Sequence, residues 1–561
     1  MKCMWPTEDD VLRPFAVGWV VPGRGGGHSA TLFEPRGVAQ PGSARRSGRR
    51  GPRFKSGHPD TYETIRVAMR RARRTGLALL SLAAVSLAVP SAASAHAVSG
   101  IDYRFPLPIW LFALAAGLAV LASAPAAMFA VRSNTSWTGG DFYGSIRRLP
   151  LGTIGLVIFT LALVDVLVGG LFGPKDFFGN PATIVIWVDF WVGLGIVTAL
   201  VGNAWDFVSP LSAAGRALER ALAFRGAGAV RYPERLGLWP ATALVLLWSW
   251  MELVWDPAKE PLTLTVIILA YIALQLVAMA VFGTEVWLAR GELFTVVART
   301  LARFAPVELF ARRPAGVCRA NRCVEEERIN CPSCWLDADP EDRGMRLRTF
   351  GSGVRREPML GTGGGTFVLA LLATVVYDGF SQTQRYVDLE SWFLDRSTWL
   401  AVHETLLDSL IMVAVVGAFA LAFLLVVTAV SRLEATSVTD AARRYAPTLI
   451  PIAAVYFVSH YFLYLIYASQ FTWAAVADPF GREWVPDATP WTGVPGSLVW
   501  YIQVALIVWG HVVAVFEAHR VSLGVHVNAR RAVMAQVPLI LLMVGYTFTG
   551  LWVLGQVLAA P

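Results

Sequence analysis

The sequence predicts an all-α, polytopic transmembrane helix bundle with about ten spans following a signal peptide. Two observations carry that prediction. Of the 561 residues, 55% are hydrophobic and only 16% charged, against roughly 25% charged in a soluble domain. The apolar residues fall in stretches of about 20, the length needed to cross the hydrocarbon core. A soluble enzyme could not bury so much apolar surface, and the composition equally excludes a disordered chain. The formal charge of +8 does not indicate a nucleic-acid partner. Much of the Arg precedes residue 75, and the rest lies in short runs between apolar stretches.

Residues 1–68 are rich in Gly, Pro, Arg and Ser and have no helical periodicity. Residues 37–57 resemble a conceptual translation of a transfer-RNA gene, so this basic leader reads as non-native or disordered, with the true start at Met69. A signal peptide then occupies 69–95. Arg70, Arg71, Arg73 and Arg74 form its basic region, Gly76 to Val89 its apolar region, and Ala93-Ser94-Ala95 its cleavage site. Cleavage would leave His96 at the new amino terminus, outside the cytoplasm.

The expected spans are 107–131, 151–173, 182–204, 236–255 and 264–284 in an N-terminal half covering 96–304. A second half, 365–561, holds 365–380, 405–430, 447–468, 496–518 and 534–558. The sixth is short. Successive connections alternate in Arg content. Arg132, Arg147 and Arg148; Arg216, Arg220, Arg225, Arg231 and Arg235; the 290–356 region; Arg432, Arg443 and Arg444; and Arg520, Arg530 and Arg531 share one side. The opposite connections hold Lys175, Lys259, Arg385, Arg396 and Arg482 mixed with acids. The positive-inside rule places the Arg-rich set in the cytoplasm of a prokaryotic cell. Segments 213–224 and 285–304 pair Arg with aliphatic residues at helical spacing, which predicts interfacial helices beside the headgroups.

The connection 305–364 contains Cys318, Cys323, Cys331 and Cys334, four of the five cysteines. Four thiolates can close a tetrahedral zinc shell, and Cys331-Pro332-Ser333-Cys334 offers two sulfurs from one tight turn. The expectation is a structural Zn module for stability or docking, with an iron–sulfur cluster or free thiols as alternatives. Disulfides are disfavoured on the reducing side.

Ionisable residues inside spans are costly and therefore functional candidates. They are Asp165, Asp189, Glu252, His460, His511 and Glu517, with Asp378, His403 and His519 near span ends. His460, His511 and His519 are the candidate metal ligands or acid–base groups, and Asp378 the candidate base or ligand. A second metal could sit among these imidazoles. Asp378 with Ser381 and His403 with Glu404 are expected to meet near one outer vestibule. A relay of protons or ions during transport is the competing reading, and plain interhelical hydrogen bonding the third.

Several short motifs resemble a prokaryotic membrane-protein family named for fenitrothion hydrolase. They are Leu107-Pro108-Ile109-Trp110-Leu111-Phe112, Phe190-Trp191-Val192-Gly193, Arg231-Tyr232-Pro233, Leu288-Ala289-Arg290-Gly291-Glu292, Asp378-Gly379-Phe380-Ser381, Ala468-Ser469-Gln470, Gly510-His511, Ala518-His519 and Val544-Gly545-Tyr546. The resemblance spans nearly all of 96–558 and implies hydrolysis of an organophosphate triester. It carries no catalytic residues over. The expectation is therefore a metal-assisted hydrolase acting in the bundle. A secondary transporter or ion permease and a non-enzymatic membrane scaffold are the alternatives. The partners expected are the lipid bilayer and a small-molecule substrate or ion.

Overall fold

The computed structural model describes residues 94–95, 103–104, 109–131, 138–143, 151–222, 230–311, 335, 339, 342–356 and 362–555, less 487, 492 and 526–528. The basic leader, most of the signal peptide and the four-cysteine segment lie outside the described residues.

The architecture is an all-α polytopic bundle. Ten helices are long and apolar enough to cross a membrane. They are α1 (Ile109–Ala130), α2 (Leu151–Phe172), α3 (Pro181–Leu200), α5 (Trp239–Leu253), α6 (Pro261–Phe282), α9 (Gly364–Ser381), α11 (Glu404–Glu434), α13 (Ile450–Ala468), α14 (Gly496–Val525) and α15 (Ala529–Leu554). Between them lie α4 (Pro210–Leu222), α7 (Thr284–Arg290), α8 (Leu293–Leu301), α10 (Gln384–Leu394) and α12 (Val438–Tyr445). The described ends fall within a few residues of the expected ones. The exceptions are the ninth span, whose helix runs seven residues past the expected end to Val525, and the eighth, which belongs with α12 and a short turn to a 40-residue helical stretch, Val438–Ala477.

The sixth span, α9, is only 18 residues long, but 78% of it is buried. It is the central pillar, touching α5, α11, α13 and α15. A helix wrapped in protein does not have to match the lipid thickness. By contrast α2 and α11 turn much of their surface outward, where Ile158, Leu161, Val413 and Leu425 are exposed, as lipid contact requires.

The third span is not a regular α-helix. Ile184–Leu194 is a π-helix flanked by α-helical turns. Its wider winding brings Trp187 and Trp191, four apart, to the same flank, and both rings meet Trp248 of α5. Long π segments are rare and tend to mark functional sites.

The expected interfacial helix at 285–304 is corrected. The chain breaks at Gly291 into α7 and α8, and α8 is almost wholly buried. After α6 ends, α7 turns back along it. Trp287 Nε1 donates to Gln275 Oε1 at 2.5 Å, and Tyr271 donates to Glu292. Seven residues of α7 rise about 10 Å, so Gly291 and Glu292 form the apex of a re-entrant hairpin. The freed amides of this non-helical apex are satisfied inside the protein, as membrane depth demands. Glu292 accepts from Phe294 N at 3.1 Å and Thr295 N at 2.7 Å. Apolar faces on both α7 and α8 produce the amphipathic pattern, but they face protein rather than headgroups. The other amphipathic segment is helical, as α4. It is tied to α7 by Arg216 Nε to Glu285 Oε1 at 2.9 Å.

The Arg-rich connections also build a small antiparallel sheet, which the sequence reading did not anticipate. Strands β3 (Thr138–Tyr143), β4 (Val307–Ala311) and β5 (Arg343–Arg348) pair in the order β3-β5-β4; β1 (Ser94–Ala95) and β2 (Tyr103–Arg104) form a separate two-residue pairing. Ala311 faces Arg343, so all four cysteines fall in the connection between two paired strands. Buried Glu308 bonds Arg346 Nε at 2.6 Å, and Arg348 donates to the carbonyls of Ala302 and Ala305. These contacts fix the sheet to the end of α8.

Candidate functional site

Asp378 ends the last turn but one of α9, where burial by four neighbouring helices leaves it 4% exposed. Its two oxygens collect three donors, two from the middle of α13 and one from the end of α9. Oδ2 accepts from Tyr461 Oη at 2.5 Å and is 2.9 Å from His460 Nε2, both on α13. Oδ1 accepts from Gln382 Nε2 at 2.8 Å. Four-residue spacing aligns Gln382 with Asp378 on α9, while the adjacent His460 and Tyr461 both turn to the same carboxyl. Gly379 lets α15 approach, since a Cβ there would lie 2.9 Å from Val553 Cγ1.

This cluster forms one wall of a cavity of about 430 Å³, within the range of small-molecule sites. Glu252 of α5 stands on another wall, with Trp187, Tyr464 and Trp500 around it. Phe177, Lys259 and Gln382 belong to Arg-poor connections, so the cavity opens toward the Arg-poor face. Lys259 is held at the mouth by Asp256, 2.7 Å away. Beneath the cavity Trp191, Trp248, Phe294 and Phe457 interlock edge to face. Phe294 comes from α8, so this aromatic floor rests on the tip of the re-entrant hairpin.

Of the four residues expected at the working site, Asp378 and His460 come together and the other two do not join them. Gln503 Nε2 donates to Ser459 O at 3.0 Å, which sets Gln503 level with His460. His511 lies eight residues further along α14 and His519 eight beyond that, each step about 12 Å. Ligand nitrogens bind a metal at about 2 Å, so three imidazoles at such separations cannot share one ion. Among the described residues no group of three or more His, Cys, Asp and Glu could hold a metal. The three imidazoles therefore occupy three levels of the bundle, because residues spaced along one helix pair must follow its rise.

His511 is buried, and its Nδ1 bonds its own helix at Ile507 O, 2.8 Å away. His519 Nδ1 is 3.0 Å from Gln536 Oε1 of α15. His403 lies at a span end, as expected, but is not among the residues that line the cavity. It begins α11, exposed, stacked on Trp399 and bonded to its carbonyl at 2.8 Å. Ser381 does adjoin Asp378, but its hydroxyl donates to the Asp378 carbonyl at 2.8 Å. The residues that the sequence reading missed are Tyr461 and Gln382. Adjacency to His460 and four-residue spacing from Asp378 were the available signals.

Fold and site together define a multi-pass membrane protein with a solute-sized cavity reaching from one face to a buried acid–imidazole cluster. No protein-family profile, curated protein or solved structure matches the chain.

Proposed function

We propose that the chain is a secondary transporter of the prokaryotic cell membrane, with the Arg-poor face outside and the mature amino terminus on that side. The observation that carries this reading is the Asp378 carboxyl on the wall of a cavity that is lined also by Glu252 and by Phe177 and Lys259 of the Arg-poor connections. Asp378 is the proton- or ion-binding group. His460, Tyr461 and Gln382 hold it in place and complete its hydrogen bonds. Intramembrane acids that line a cavity serve such coupling, and substrate sites near broken helices recur in transporters. The aromatic floor and the hairpin tip beneath it are the barrier that must part for passage.

The orientation of His460 argues against nucleophile activation. Its Nε2 is spent on Asp378 and its Nδ1 is buried. A general base must present a nitrogen to its substrate. The test is charge movement in proteoliposomes after a pH jump. Wild type is expected to give a transient current that Asp378→Asn abolishes. A current unaltered by that substitution refutes the coupling role.

The motif resemblance favours a second reading, hydrolysis of a phosphotriester, with Asp378 as general base for a cavity water. Release of p-nitrophenol from paraoxon by the purified protein, lost in Asp378→Asn, is its signature. In either case the four cysteines hold a structural zinc ion on the Arg-rich side.

A further inference from the structure

The transport reading leaves the nature of the cargo open, and a second carboxyl in the cavity lining, that of Glu252, speaks to it. Glu252 is the last residue but one of α5, at the Arg-poor end of its span, where it is partly buried and lines the cavity. Among the described residues no Arg, Lys or His makes an ion pair with it. Asp378 and Lys259 are near enough to act on it electrostatically. Their contributions differ, however. Lys259 is bonded to Asp256 and half exposed, so water and that acid screen it. Asp378 already has His460. Glu252, whose carboxyl has the Trp191 indole as a neighbouring polar partner, is therefore the cavity acid without an ion pair among the described residues.

Its surroundings select among cations. A hard metal ion takes six or more oxygens. The described lining offers two carboxylates, Glu252 and Asp378, and Asp378 is already bonded by His460, Tyr461 and Gln382. What remains around Glu252 is ring surface: Trp187, Tyr461, Tyr464, Trp500 and, at the mouth, Phe177. Aromatic faces attract a weakly hydrated ammonium at about 0.5–2 kcal/mol each when desolvated. A carboxylate supplies the fixed counter-charge.

Resting on the transport reading, we propose that the cavity binds a monovalent organic cation of the quaternary-ammonium type, its charge at Glu252 and its alkyl or aryl groups against the Trp187–Tyr464–Trp500 rings. Two acids then serve two positive charges: Glu252 holds the cargo, and Asp378 with His460 holds the coupling proton. The cavity volume suits a cation of drug-fragment size rather than a peptide.

The experiment is calorimetric titration of the purified full chain in nanodiscs with three probes of similar size: benzyltrimethylammonium, phenylacetate and benzyl alcohol. Saturable binding of the cation alone is expected. Glu252→Gln should weaken it at least tenfold, and Tyr464→Leu about three- to tenfold, whereas Tyr464→Phe should retain it. The tyrosine pair keeps the test decisive if Glu252→Gln does not fold. Equal binding of all three probes, or cation affinity unchanged in Glu252→Gln, overturns the proposal. The pH-jump current separates this proposal from the reading beneath it. A current that persists without cation binding removes the cargo class and leaves transport standing. Cation binding without any current keeps the site and removes transport.

Discussion

The bond between Asp378 and His460 can be measured by a double-mutant cycle. Asp378→Ala strips the acceptor from His460 Nε2 and Tyr461 Oη, both on buried side chains, while the more open Gln382 amide can turn to cavity water. Two buried donors left unsatisfied cost about 1–3 kcal/mol each, so this variant should lose about 2–5 kcal/mol. His460→Ala leaves Asp378 with Tyr461 and Gln382, but it also deletes ring contacts with Tyr456 and Tyr461. Those ring losses recur in the double variant and cancel in the cycle. If the pair is ionised, the coupling should be about 2–4 kcal/mol, since breaking one side of a buried ion pair leaves an uncompensated charge. A neutral hydrogen bond would give about 1 kcal/mol. The assay is reversible unfolding in bicelles by steric trapping, for wild type, both single variants and the double variant. Additivity within 0.5 kcal/mol, the behaviour of sites without shared partners, would refute the contact on which the site is built.

Four further outcomes are expected. A Cβ on Gly510 would lie 2.0 Å from Val455 Cγ2, whereas one on Gly545 meets nothing within 4 Å; Gly510→Ala should therefore cost about 1–3 kcal/mol by overpacking and Gly545→Ala nothing, as read from thermal stability in detergent. Arg299 grips Asp206 through two nitrogens, and Asp206 is 2% exposed at its side chain; Arg299→Ala should destabilise by about 1–3 kcal/mol, with Arg299→Lys recovering only part because one ammonium cannot replace the fork. Burial, reinforced by Asp408 and Glu404, raises the Glu390 carboxyl above its ordinary value of 4.5. A raised acid contributes stability that is complete below the unfolded value and lost as pH rises through the folded one, so melting temperature should fall across that window and flatten in Glu390→Gln. Zinc retained by the purified chain should vanish in Cys331→Ser and be unchanged in His460→Ala, as measured by plasma emission.

Much of the fold was legible because lipid imposes a single rule on every span. Apolar runs such as 405–430 must be helical, and their lengths are fixed by the membrane. The short run at 365–380 was readable as a span but not as the pillar of the bundle, since burial on all sides depends on which helices surround it. The segment 285–304 had the right periodicity and the wrong environment. Leu293, Val296 and Leu301 form an apolar face whether their partner is a headgroup layer or, as here, other helices. Only the return of Trp287 to Gln275 distinguishes the two. The sheet was hidden for a different reason: β3 and β5 lie some 200 residues apart, and their pairing has no local signature.

The site divides in the same way. Asp378 and His460 stood out as ionisable groups in apolar runs, and a buried polar group must find a partner, so each was marked by energy alone. Which partner it finds is a matter of helix register and proximity. His511 and His519 carried the same mark, yet their backbone positions along α14 place them one and two steps of about 12 Å away. The sequence by itself determined that this chain crosses a membrane ten times and that a few polar groups must be answered inside it, because hydrocarbon offers them nothing. Tertiary structure alone decided that Asp378, His460, Tyr461 and Glu252 share one cavity, because helices distant in sequence meet at depths set by packing and not by spacing along the chain.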